Sequence, residues 1–206
     1  MARPRAFEPE EAVRQALLVF WRKGYDATSV SDIEAATGVA RMSLYNVFGD
    51  KDGLFQTALE RYIASSRRLY ERHLGNGGGL AALEALIAAH TRPQRLGESA
   101  NWGCLMLNTI TAAGGVNAHA HAAIEAFRRY AIGEIEAALR RAAERGEIDP
   151  ARSPRDLAEF ILTTLWGIKA AIRHAGTAAA AAPTARVLSA ILGELRRSQP
   201  LSRNAG

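Results

Sequence analysis

Cysteine occurs once in the 206 residues, at Cys104. A single thiol excludes an internal disulfide and any paired-cysteine metal motif, and it fits a reducing cytoplasm. No uninterrupted apolar run approaches the roughly 18 residues that a membrane span requires. The opening "MARPRAFEPEE" is charged and lacks the apolar segment of a signal peptide, so a cytoplasmic protein without a membrane partner is expected. Also missing are a phosphate-binding glycine loop and any nucleophile–base–acid set, so neither enzymatic activity nor a cofactor is expected. The histidines are His73, His90, His119, His121 and His174. His119 and His121 stand two apart, which on a helix sends them to different sides, and no metal site is expected.

Positive charge is scarce where nucleic acid would need it. The chain carries a net +5, yet residues 1–52 hold seven basic and eight acidic side chains, 7 − 8 = −1. The surplus lies further on, in pairs such as Arg67–Arg68, Arg128–Arg129, Arg140–Arg141 and Arg196–Arg197, which read as solvated helix faces. Bulk charge does not argue for DNA; particular cations must.

What the sequence has in quantity is alanine, leucine, glutamate and arginine, all strong helix formers, with no run of period-two strands. An all-α fold follows. The first helix begins at Glu8–Pro9 and ends at Gly24, with Val13, Leu17, Phe20 and Trp21 as its apolar stripe. Ser29 and Asp32 have the spacing of a capping box for a second helix whose Val30, Ile33 and Ala36 face inward, and Gly38 closes it. Asp50 caps a long helix over 51–74. "GNGGG" at 75–79 reads as a linker, and further helices are predicted near 80–91, 102–114, 119–146, 153–175 and 184–198, with Ser153–Pro154 as a start signal. The expected division is a helix-turn-helix domain over 1–52 and a larger helical domain over 53–206, with the helix 51–74 crossing the boundary.

From Ser29 to Phe48 the order is helix, tight glycine turn, helix. Val39 and Leu44 anchor the second helix against Ile33 and Phe20, which leaves Arg41, Met42, Ser43, Tyr45 and Asn46 facing outward. Short side chains and a few donors on such a helix suit a major groove. Lys51, opening the next helix, can meet a phosphate together with backbone N–H groups.

The run "AVRQALLVFWRKGYDATSVSDIEAATGVARMSLYNVFGDKDGLF" resembles the N-terminal domain of TetR-family transcriptional regulators. The correspondence lies at Phe20, Gly24–Tyr25, Thr28–Ser29–Val30, Ile33, Ala36, Gly38–Val39, Leu44–Tyr45, Phe48, Lys51 and Leu54. The resemblance implies a homodimeric repressor with a DNA-binding head and a ligand-binding, dimerising body. It further implies that Ser43, Tyr45 and Lys51 touch phosphates or base edges and that Thr28 and Ser29 approach the backbone of double-stranded DNA. Three departures stand out. Ala40 replaces a capping serine or threonine, a loss of about 0.5–2 kcal/mol. Met42 replaces a small residue, and Val47 replaces a frequent histidine. Arg3 and Arg5 precede the first helix, either as a minor-groove arm or as a solubilising end.

In the body, "NWGCLMLNTITAAGG" places Trp102, Met106 and Ile110 at helical spacing, with Cys104 near a helix start where the dipole favours a thiolate. Cys104 is either such a reactive thiol or a small packed hydrophobe. "GCLxLN" also resembles a TetR-like subgroup whose cysteine at this place is linked to electrophile or oxidant sensing. Trp102, Met106, Phe127, Trp166 and Ile172 line either a pocket for a small-molecule effector or a closed core. The last two helices are apolar over much of their circumference, so a two-fold four-helix dimer interface is expected on Leu157, Ile161, Leu165, Ile168, Leu188, Ile191 and Leu195. The alternative to a repressor is a helical small-molecule carrier or enzyme with a vestigial helix-turn-helix head.

Overall fold

A computed structural model describes residues 7–75, 77–91, 97–112, 117–149 and 151–196. Arg3 and Arg5 lie outside these residues. Among the described residues the chain forms nine α-helices and no β-strand. They are α1 (Pro9–Lys23), α2 (Val30–Thr37), α3 (Arg41–Phe48), α4 (Lys51–Leu74), α5 (Leu80–Thr91), α6 (Leu105–Ile110), α7 (Ala118–Glu144), α8 (Pro154–Ala175) and α9 (Ala182–Leu195). None of them is long and apolar enough to cross a membrane.

The local signals largely act as the residues foretell. Pro9 sits in the first turn of α1, with Glu10 and Glu11 at its positive end. The Asp32 amide donates to Ser29 Oγ at 3.1 Å and the Ser29 amide donates to Asp32 Oδ2 at 2.9 Å, completing the capping box. Gly38 ends α2 in the left-handed region at φ +67°, open to glycine without strain. Asp50 and Ser153 accept from the amides of Gly53 and Asp156 to start α4 and α8. One inward assignment fails: Ala36 is exposed, because the short α2 buries only Ile33 while Val30 stays half-buried.

The helix expected over 102–114 is shorter. A 3-10 turn, Gly97–Asn101, comes first, and Gly103 at φ +74° keeps the chain out of the helical region until Leu105. A Cβ on Gly103 would stand 2.7 Å from Lys169 O and 3.0 Å from Arg173 Cβ, so this turn is pressed against α8. The alanine run after α8 forms a 3-10 turn, Ala178–Ala181, capped by Thr177.

Among the described residues one large apolar core runs through the molecule, and a small second cluster of Ile168, Ile172 and Ala181 joins α8 to the 3-10 turn that follows it. Phe20, Ile33, Leu44, Leu54 and Leu59 fill the head, and the core continues without a break through Tyr70, Leu83, Ile124, Ile135 and Leu162 to Leu192. The helix α4 carries it from one end to the other, packing on α1 and α3 and then on α5 and α7.

Candidate nucleic-acid interface and the segment behind it

The short α3 is held by one fully buried side chain, Leu44, with Val39, Tyr45 and Phe48 half-buried around it. Its opposite side is open: Arg41, Met42, Asn46 and Val47 are exposed, and Met42 is the most exposed large hydrophobe among the described residues, at 71%. Ser43 lies between, half-buried. The predicted readout set therefore shares one helix and one exposed side.

The missing cap at Ala40 is made good from elsewhere. Ala40 offers no side-chain acceptor, and the Arg41 amide instead donates to Glu34 Oε1 of α2 at 2.6 Å. A carboxylate at this end also suits the helix dipole. The recognition-type helix is thereby tied to its neighbour across the turn. The Arg41 guanidinium lies 5.0 Å from the Tyr45 ring centroid and Lys51 Nζ lies 4.2 Å from that of Tyr25. The Tyr25 hydroxyl donates to Asp52, so Lys51 is oriented over a ring that is itself fixed. Lys23 bonds Asp32 at 2.6 Å, and with the Ser29 donors this holds the Asp32 carboxyl down to about 2.

Two of the backbone-approaching residues behave differently. Ser29 is exposed at the start of α2. Thr28 is 1% exposed and its hydroxyl donates to Gly24 O at 2.6 Å, closing the end of α1. Its side chain belongs to the interior of the head, so any approach of Thr28 to DNA is through its backbone.

Behind the head, Cys104, Met106 and Phe127 are buried, while Trp102 and Trp166 are half-buried. Cys104 is the N-terminal flanking residue of α6. Its thiol is hydrogen-bonded to Tyr62 of α4, and burial, followed by the neighbouring thiol, pushes the Tyr62 phenol well above its ordinary value. Tyr70 is likewise raised by burial and senses Cys104; its ring meets those of Phe127 and His90 edge-on at 5.7 and 5.6 Å. His90 is lowered to about 4, first by burial. Lys169 of α8 donates to His90 O at 2.9 Å; burial lowers it and the Cys104 thiol opposes that shift. Trp102 belongs to a different group, packing edge-on against Trp21 of α1 at 5.9 Å, and Trp21 against Tyr62 at 5.0 Å. Trp166 takes part in none of these ring contacts among the described residues. Cys104 and Phe127 thus lie against α4 through Tyr62 and Tyr70, and Trp102 reaches it through Trp21. Tyr62, Tyr70, His90 and Lys169 were missed, because a lone tyrosine or lysine inside a helical stripe carries no local signal.

On the last two helices, Ile161, Leu165, Ile168, Leu188 and Leu195 are buried within the chain itself, and Leu157 and Ile191 are half-buried. The five buried residues cannot meet a second copy without opening the core. The large apolar residues these helices leave exposed are Phe160 and Val187, at 43% and 60%. Among the described residues, no three His, Cys, Asp or Glu side chains come together as a metal site.

Residues 13–58 match the family model of bacterial regulatory proteins of the tetR family, and residues 79–188 match that of the tetracyclin repressor-like C-terminal domain. The chain is 30% identical over 183 residues to the HTH-type transcriptional repressor ComR of Escherichia coli K12, covering 84% of this chain and 82% of that one. The transcriptional repressor BdcR of the same organism is 43% identical over 63 residues, 31% of this chain and 32% of the relative. Among solved structures, a cysteine-substituted TetR-family regulator CifR in complex with 26-bp double-strand operator DNA superposes with a TM-score of 0.73 and 26% identity. That match covers 92% of this chain and 99% of the other.

Proposed function

The chain belongs to the tetR family of bacterial regulatory proteins, and we propose that it is a DNA-binding repressor that reads its operator through α3 and releases it when the body binds or reacts with a small molecule. The observation that supports this best is the exposed side of α3, with Met42, Asn46 and Arg41 open above a helix that Leu44 and Glu34 hold rigidly in place. Asn46 offers the amide that pairs with adenine in a major groove, Arg41 a fork for guanine, and Met42 an apolar contact for a thymine methyl. Lys51, Ser43 and Tyr45 dock on phosphates and set the register. The CifR relative in complex with operator DNA has the same fold and supports this docking.

Reading a palindrome requires two heads. A homodimer formed on α8 and α9 places two α3 helices about one DNA turn apart, roughly 34–36 Å. The exposed Phe160 and Val187, with the small Gly167, Ala170, Ala190 and Gly193 exposed beside them, supply the face for it. The interface accordingly uses the outward residues of these helices rather than their buried leucines. The effector site in this reading lies around Cys104, Tyr62 and Lys169, where a thiol, a phenol and an ammonium meet in the interior. An electrophile would be trapped there by addition of the Cys104 sulfur to its carbon, with the thiol proton passing to the adduct.

Binding to DNA selected from a random pool tests the reading. Ser43→Ala combined with Tyr45→Phe should weaken selected DNA at least tenfold while leaving the fold intact by circular dichroism. Equal binding by the double variant rejects α3 as the docking helix. For the thiol, Cys104→Ser should abolish release by N-ethylmaleimide without changing basal affinity; a variant that is still released makes Cys104 structural.

A further inference from the structure

The geometry points to Arg173 as the residue that couples the Cys104 segment of the body to the DNA-reading head. Arg173 sits in the last turn of α8, yet its guanidinium turns away from its own helix. Nη1 donates to Trp21 O and to Trp102 O, each at 3.2 Å, and Nη2 donates to Arg22 O at 3.5 Å. Trp21 and Arg22 lie in the last turn of α1, whose carbonyls have no partner within their own helix and carry the negative end of its dipole. One cation therefore closes the end of a head helix and holds the residue two before Cys104. Among the described residues Arg173 forms no ion pair, so its charge is directed to these carbonyls alone.

The other contacts at this point reinforce the same link. Trp102 O also accepts from Asn108 Nδ2 at 2.9 Å, which fixes it to α6. The Trp102 and Trp21 rings meet edge-on, and Trp21 meets Tyr62, the hydrogen-bond partner of Cys104. Gly103 has no room to move toward α8, since even a methyl would meet Lys169 O and Arg173 Cβ. A displacement of Cys104 or of α6 must therefore shift Trp102 O, and with it the guanidinium that holds α1. Because α1 packs on α2 and on α4, its tilt sets the position of α3. Arg173 is a positioning residue: its guanidinium is spent on the carbonyls of Trp21, Arg22 and Trp102, and its part is to make the two sites share one two-state element.

This inference rests on the reading of the chain as a DNA-binding regulator. Coupling between sites is reciprocal, so DNA at the head must be felt behind the joint. Hydrogen exchange of the Cys104–Thr109 amides, with and without DNA selected from a random pool, measures it in the full-length protein. In the wild type, saturating selected DNA should change exchange in this segment by at least fivefold, the lower end of the roughly 5–150-fold range of allosteric coupling. In Arg173→Met the change should fall below twofold, and Arg173→Lys, which can reach one carbonyl, should be intermediate. A merely structural Arg173 would lower protection equally in the free and bound states and leave their ratio as in the wild type; that result overturns the proposal. A wild type whose exchange ignores bound DNA overturns it too, with the repressor reading intact. Failure of the wild type to select any DNA removes both.

Discussion

The head and the body of this protein are built on different length scales. In the head, what starts the helices that carry the DNA-facing side chains is local: Ser29 with Asp32, Glu34 with Arg41, Asp50 with Gly53, partners at most seven residues apart, and even the Tyr25–Asp52 bond beneath Lys51 spans only 27. Behind it, the working contacts join residues distant in the chain: Lys169 with His90 at a separation of 79, and Arg173 with Trp21 at 152. The head can hold its reading surface by its own short-range chemistry. The body can report to it only through tertiary contacts, which is what a sensor needs, because such contacts change when packing changes.

Disrupting the head at its anchor should have the largest effect. Leu44 is fully buried, and Leu44→Ala should cost about 2–5 kcal/mol in urea denaturation, with loss of DNA binding. The body should show itself next, through pH. Neutral His90 has a folded value near 4 against 6.5 for the free side chain. Between those values the unfolded chain binds the extra proton, so stability rises as pH increases from 4 to 6.5 and is lost as pH falls. The full span is on the order of 3 kcal/mol, and His90→Gln should flatten that part of a denaturation-versus-pH curve.

A finer comparison concerns the cap of α3. Glu34→Ala should cost about 0.5–2 kcal/mol and weaken DNA binding, and Ala40→Ser in the same chain should restore most of it. Failure of the serine to rescue would mean that Glu34 acts otherwise than as a cap. The smallest effect should come from Lys51→Gln, which lowers the slope of log affinity against log salt by about one and affects all DNA sequences alike.

The same difference in scale explains what could be read from the residues alone. The capping box, the left-handed Gly38, the buried Leu44 and the helix over 51–74 lie in signals a few residues long, and the structure has them where the spacing places them. The inward turn of Thr28 was not legible, because an exposed and an end-closing threonine look alike until Gly24 O is placed beside it. The substitute cap from Glu34 crosses a turn, and no single-helix pattern contains it. On α8 and α9 the sequence shows that apolar residues cover much of the circumference, but not which side the chain itself would take. The core took the leucines and isoleucines and left Phe160 and Val187 outside. Arg173 in sequence is one arginine among many; only the fold brings it to the end of α1.

Selection of DNA from a random pool, with wild type beside Met42→Ala and Asn46→Ala, tests the central claim most directly. The account predicts that the wild type enriches an inverted repeat whose half-sites lie about 10 bp apart, and that each variant alters base preference within the half-sites while keeping their spacing. No enriched repeat, or an identical repeat enriched by all three proteins, would contradict the assignment of α3 as the helix that reads DNA.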